Sequence, residues 1–243
     1  MSLTKPLPDR FAMNNRRRIN QERVARTDRI LDSAETLFVE KGFLSTSIQD
    51  IAEKADFSRT SIYQHFKNKE EVYARILERY TDGLIERVTL AMESKTTVRD
   101  KIAAFVGEMR SVAKDTPNFF ELYFIERHQL EPRLPSDMKI RLNKKRKKLE
   151  NVFRDVYQEG VRKGEVRDIR AKDASNLFFA QIMGMMLLHA YYDEEFDVSL
   201  DGHLDLSLQL FLEFVEKTAD HQKVKKLSFT PNPQEGNHDD ANR

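Results

Sequence analysis

The stretch "DFSRTSIYQHFKNKEEV", Asp56 to Val72, decides how this chain folds. Arg59, Thr60, Ser61, Tyr63, Gln64 and His65 crowd its middle, interrupted by the apolar pair Ile62 and Phe66. A segment this short and polar does not hold a helix by itself. It needs a scaffold behind it. Ile62 and Phe66, four residues apart, share the helix face that can grip one, which leaves the hydrogen-bonding side chains turned outward.

The scaffold is readable just upstream. In "STSIQDIAEKA", residues 45–55, Thr46 and Gln49 have the spacing of a capping box. Ile48, Ile51, Ala52 and Ala55 form an apolar stripe. Asp56 stands where the chain must turn sharply, and Asp tolerates left-handed backbone better than most residues. Phe57 can plug that turn. Ser58 caps the next helix, and Asn68 with Glu71 caps a further one. Before all of these, Ile30, Leu31, Ala34, Leu37 and Phe38 share a helical face that ends at Lys41-Gly42. Residues 27–66 therefore read as three short helices. The last two are joined tightly in a helix-turn-helix spanning about 47–66.

The chain has 243 residues, length for one domain or two small ones. Its formal charge is only +1, so net charge says nothing of partners, although its distribution can. With no cysteine, disulfides, zinc–thiolate sites and thiol catalysis are excluded. The first 18 residues lack the apolar run of a secretory signal. The most apolar run, "LFFAQIMGMMLLHAYY" at residues 177–192, is short for a membrane span and reads as a buried helix. A soluble, cytoplasmic protein is expected.

Residues 1–23 read as a basic, flexible arm carrying Arg10, Arg16, Arg17, Arg18 and Arg23. It suits either a DNA groove or a solubilising tail. From Lys69 onward Val72, Ile76, Tyr80, Leu84 and Val88 repeat every four residues. Further helices are expected near 98–113, 118–127, 137–159, 172–192 and 204–217, with breaks at Pro117, Pro132, Pro135, Gly160, Gly164 and Gly202. The segment "HLDLSLQLFLEF", residues 203–214, alternates like a strand. Its apolar residue is mostly Leu, which strands do not favour, so a buried or interface helix is expected. Residues 219–243 read as a disordered polar tail. The fold class is all-α.

The outward face of Ser58–Phe66 has what a helix in a DNA major groove needs. Arg59, Thr60 and Gln64 suit base edges, since Arg pairs with guanine, Gln with adenine and the Thr methyl with thymine. Tyr63, His65 and Lys69 suit phosphates, with Ser58 and Ser61 beside them. Thr46 and Ser47, at a helix N-terminus, can join them there. The alternative is a solvated surface helix with ordinary caps.

The run "RILDSAETLFVEKGFLSTSIQDIAEKADFSRTSIYQHFKNKEEVYARIL" closely resembles the N-terminal domain of the TetR-type bacterial transcriptional regulators. The resemblance rests on Ala34, Leu37-Phe38, Gly42-Phe43, Thr46-Ser47-Ile48, Ile51-Ala52, Ala55, Phe57-Ser58, Ile62-Tyr63, His65-Phe66 and Lys69-Glu70-Glu71. It covers about a fifth of the chain. One departure is Asp56, where the family usually has Gly. The resemblance implies a DNA-binding domain over 24–84 and a ligand-binding and dimerisation domain over 85–218. It implies a homodimer through the last two helices, near-palindromic double-stranded operator DNA, a small-molecule ligand, and usually repression. An activator, or a regulator without an inducer, is the alternative.

Ligand identity does not carry over. In "NFFELYFIERHQLEPR", residues 118–133, Phe120, Tyr123, Phe124 and His128 can line a pocket. Phe105, Met109, Phe179, Met183 and Met186 complete the candidates, methionines being adaptable fillers. Each can equally be core. A hydrophobic or amphipathic ligand is expected. The basic run "KIRLNKKRKKLE", residues 139–150, keeps an apolar face through Leu142 and Leu149 and reads as the solvated side of a long helix. The six histidines are dispersed, and no metalloprotease, Walker or Rossmann motif occurs. No enzymatic activity, cofactor or metal is expected.

Overall fold

The structure, a computed structural model, describes residues 10–116, 118, 122–123, 130–192 and 198–217. Its regular elements are helices α1 (Arg10–Lys41), α2 (Ile48–Ala55), α3 (Arg59–Tyr63), α4 (Lys69–Glu93), α5 (Val98–Asp115), α6 (Ser136–Lys163), α7 (Ala171–Tyr192) and α8 (Leu200–Val215). A 3-10 turn spans Glu131–Arg133, and one isolated antiparallel bridge joins Val166 to Glu216. The segment 203–214 is helical, as leucine's preferences required.

The first helix departs from expectation. Its 32 residues begin at Arg10, so the second half of the expected flexible arm is helical. Arg18, Arg23 and Arg26 lie exposed along it. The expected break at Gly160 is also absent. That glycine sits inside α6, where an added Cβ would meet the Val98 side chain at 2.8 Å, so close packing of α5 selects it. The helix ends at Gly164 instead, in left-handed backbone with φ 74°. Gly202 lies in the first turn of α8, capped by Ser199. Apart from residues 118, 122 and 123, the expected helix near 118–127 lies outside the described residues, as does the tail after 218.

Helix α4 organises the molecule. It packs on α1 at one end and on α5 and α6 along its length. α7 and α8 close the far side against α6 and α5. Val72, Ile76 and Val88 on α4 are fully buried. Farther out the core is aromatic: Phe153 and Phe178 stack at 4.1 Å, with Phe105, Phe179 and Phe211 packed edge-on around them. No helix among the described residues is long and apolar enough to cross a membrane.

Candidate nucleic-acid interface

Local capping builds this site. Ser47, not Thr46, is the N-cap of α2. Its hydroxyl accepts from the Asp50 N–H, and Asp50 Oδ2 accepts from the Ser47 N–H at 2.7 Å. Those bonds, with Lys41 beside them, hold the Asp50 pKa down at about 2. The expected box at Thr46 and Gln49 is therefore displaced by one residue. The cause is the end of α1. The Thr46 hydroxyl donates to the Gly42 carbonyl at 2.9 Å and the residue is 2% exposed, so it is withdrawn from any DNA surface. Gln49 turns instead to Glu53.

Asp56 ends α2 at φ 58°, ψ 48°, the left-handed turn read from the sequence. Its carboxylate accepts from Arg29 at 3.3 Å. The Phe57 N–H reaches back to the Ala52 carbonyl at 2.9 Å. Ser58 then caps α3, accepting from the Ser61 N–H, and the two hydroxyls lie 2.9 Å apart. Ser61 is thus a capping partner. Ile62 and Phe66 are 0% and 3% exposed. Arg59, Thr60, Tyr63 and Gln64 are left facing solvent on the opposite side. The Arg59 guanidinium lies over the Tyr63 ring, 5.6 Å from its centre.

Two residues expected at phosphates are engaged elsewhere. The Lys69 ammonium donates to the Thr46 and Phe43 carbonyls at 2.6 and 2.7 Å and sits 4.3 Å from the Phe43 ring centre. Burial lowers its pKa. It clamps the start of α4 to the loop between α1 and α2. His65 lies half-buried with Nδ1 3.1 Å from the Thr27 hydroxyl. Burial, then the charges of Arg23 and Arg26, push its pKa down. The imidazole, wedged between α1 and α3, buttresses the helix through Thr27.

Two buried carboxylates were missed. Glu35 on α1, 7% exposed, accepts from Tyr80 at 2.5 Å, Arg79 at 3.0 Å and Asn118 at 3.1 Å. Burial first, then Glu35, drives the Tyr80 pKa upward. Glu78, 6% exposed, accepts from Arg141 of α6 at 2.8 Å. Each tie crosses between α4 and a neighbouring helix. The signal was present: Glu35 follows Leu31 by four and precedes Phe38 by three, which puts a carboxylate on an apolar stripe.

In the second half of the chain Met109, Tyr123, Met183 and Met186 meet around a cavity of about 30 Å³, with Thr81, Leu84, Arg146 and Leu149. Phe105 and Phe179 belong to the aromatic core described above and do not line it. The side chains of Phe120, Phe124 and His128 lie outside the described residues. The outer face of α7 and α8 exposes Leu177, Leu187, Leu188, Tyr191, Leu206 and Leu210, each between 38% and 51%. No group of three or more metal-ligating side chains occurs among the described residues.

The family model described as "Bacterial regulatory proteins, tetR family" matches residues 30–76, the segment that holds α2, the turn and α3. Among curated proteins the chain is 29% identical over 131 residues to the HTH-type transcriptional activator FasR of Mycolicibacterium smegmatis. That match covers 54% of this chain and 60% of FasR. It is 27% identical to the HTH-type regulator YfiR of Bacillus subtilis, over 76% of this chain and 89% of that protein. Among solved structures, the transcriptional regulator FadR of Bacillus subtilis in complex with stearoyl-CoA shares the fold, with a TM-score of 0.68. Its identity is 22%, over 76% of this chain and 96% of FadR.

Proposed function

We propose that this chain is a TetR-type DNA-binding transcriptional regulator that works as a cytoplasmic repressor, released from its operator by an apolar or amphipathic small molecule. The carrying observation is α3: Arg59, Thr60, Tyr63 and Gln64 face solvent on a helix whose back is locked by Ile62 and Phe66. A five-residue helix so exposed and so firmly anchored suits insertion into a major groove. Arg59, Thr60 and Gln64 read bases. Tyr63, Ser47 and the capping end at Ser58 hold the backbone. Residues 24–84 form the DNA-binding domain and 85–218 the ligand-binding and dimerisation domain.

The exposed leucines and tyrosine of α7 and α8 support a homodimer, because large apolar side chains exposed together on two packed helices suit an interface. Two copies of α3 then meet successive major grooves of a near-palindromic site, about 34–36 Å apart. The ligand acts by favouring a conformation with a different spacing. Helix α4 is the lever, since it packs on α1, α5 and α6 and its neighbouring residues Glu78 and Arg79 tie it to α6 and α1. The stearoyl-CoA bound to FadR makes long-chain acyl thioesters the first compounds to try. The activator name of FasR keeps activation as the second reading.

The test begins by sequencing DNA retained by the purified protein. On that operator, Arg59→Ala and Gln64→Ala each cost about 1–3 kcal/mol at particular base pairs, while Tyr63→Ala weakens all sequences alike. Uniform loss from all three would remove the base-reading assignment. Coupling is reciprocal: whatever factor stearoyl-CoA takes from operator affinity, operator must take from stearoyl-CoA affinity. Equal calorimetric affinities with and without operator would refute release by that compound.

A further inference from the structure

The cavity between α4, α5, α6 and α7 has one charged wall. Seven of its eight lining residues are Thr81, Leu84, Met109, Tyr123, Leu149, Met183 and Met186. The eighth is Arg146. Its side chain is 43% exposed and pairs with Glu150, one helical turn on, so the guanidinium stands between the apolar interior and solvent.

An arginine can lie over apolar surface merely to cover it with its methylenes. Two observations ask for more here. First, α6 already carries cations for covering and clamping. Arg141 ties Glu78, Lys145 ties Asp82, and Lys144 and Lys148 face solvent. Arg146 alone of these lines the cavity. Second, the walls it borders can move. The cavity has a volume of about 30 Å³, and three of its lining residues are methionines, whose unbranched chains re-pack to admit a longer guest.

We propose that Arg146 is the head-group site of an amphipathic anion whose apolar chain enters between Met109, Met183 and Met186. The ligand class is a straight-chain acyl or alkyl compound bearing a carboxylate or phosphate. The planar guanidinium binds either head through paired N–H donors, displacing Glu150. An uncharged chain of the same length gains the apolar walls but not the head. The proposal rests on the ligand-sensing reading above and narrows it to anions.

The test is calorimetry on the full chain without DNA, using lauroyl-CoA, laurate and uncharged monolaurin below their aggregation concentrations. Wild type is expected to bind at least one anion about tenfold or more tighter than monolaurin, as a charge-assisted pair allows. Laurate and lauroyl-CoA separate a carboxylate head from a phosphate-bearing one. Arg146→Gln should abolish that preference, lowering anion affinity about tenfold or more while changing monolaurin affinity far less, whereas Arg146→Lys should keep part of it. Glu150→Gln, which frees the guanidinium, should tighten anion binding severalfold and covers the case of a poorly folded Arg146 variant. Equal binding of anions and monolaurin, no anion binding at all, or full anion affinity in Arg146→Gln overturns the proposal. The two readings fail separately. Anion preference without operator release would leave Arg146 in place and remove the sensor function. Release by some other compound, with no anion bound, would do the reverse.

Discussion

The helix-turn-helix and the helices that follow it are held by different kinds of interaction. Around α2 and α3 the caps and the turn close on partners within a few residues: Ser47 with Asp50, Ser58 with Ser61, Phe57 with Ala52. Farther along, the decisive contacts join distant segments. Tyr73 donates to the Leu122 carbonyl, Arg141 meets Glu78, and Lys101 meets Glu159. The Arg167 N–H reaches the Val215 carbonyl. The first kind fixes the exposed face of α3 from within its own segment. The second kind ties whole helices to one another through single side chains. The difference teaches that local and long-range order meet along α4, where the carboxylate ties of Glu35 and Glu78 join it to α1 and α6.

Glu35 tests that seam with the largest expected effect. Three donors converge on its buried carboxylate from α4 and from Asn118. Truncating one partner of a buried charged network strands the rest. Arg79 is 34% exposed and keeps Asp32, which discounts the loss. Glu35→Ala should lower the unfolding free energy by about 2–3 kcal/mol, read from denaturant midpoints. A change below about 0.5 kcal/mol, typical of a surface position, would mean that α1 and α4 do not depend on this junction.

Lys69 asks whether the local regime is as self-contained as it looks. Its ammonium holds two carbonyls of the loop between α1 and α2 and lies on the Phe43 ring. Lys69→Met should cost about 1.5–2 kcal/mol of stability, since charge-assisted bonds are lost and the Thr46 and Phe43 carbonyls stay half-covered. Operator binding should keep its salt dependence. A phosphate contact would instead reduce that slope by about one. A shallower slope with unchanged stability would return Lys69 to the DNA surface.

That prediction turns on what a sequence can disclose. Spacing exposes caps, turns and stripes, because these depend on residues three or four apart. It therefore located α2, Asp56, Ser58, and the inward pair Ile62 and Phe66. Even here it misassigned Thr46 by one position. A threonine before a helix looks the same whether its hydroxyl faces its own helix or the end of the previous one. Lys69 failed for the same reason on a longer scale, its partners lying 23 and 26 residues away. In the second half periodicity found the long helices but could not tell core from cavity. Phe105 and Met109 lie four apart on one helix, yet one packs on Phe178 and the other borders the cavity. Arg146 looked like one more member of a basic run. Its distinction is purely three-dimensional.

The smallest effect is expected at Asp56. Its φ of 58° makes it the one non-glycine residue in left-handed backbone among those described. Such a conformation costs an ordinary L-residue about 1–2 kcal/mol, less for Asp. Asp56→Gly removes that cost. It also releases an exposed ion pair to Arg29, worth little at the surface, and adds freedom to the unfolded chain. The net gain should be no more than about 0.5 kcal/mol, seen as a slightly higher denaturant midpoint with operator affinity unchanged. A clear loss of stability would show that the Arg29 contact outweighs the backbone, and that the turn aiming α3 is held from α1 as well as by its own conformation. In that event the self-contained half of the molecule would share the long-range dependence of the other.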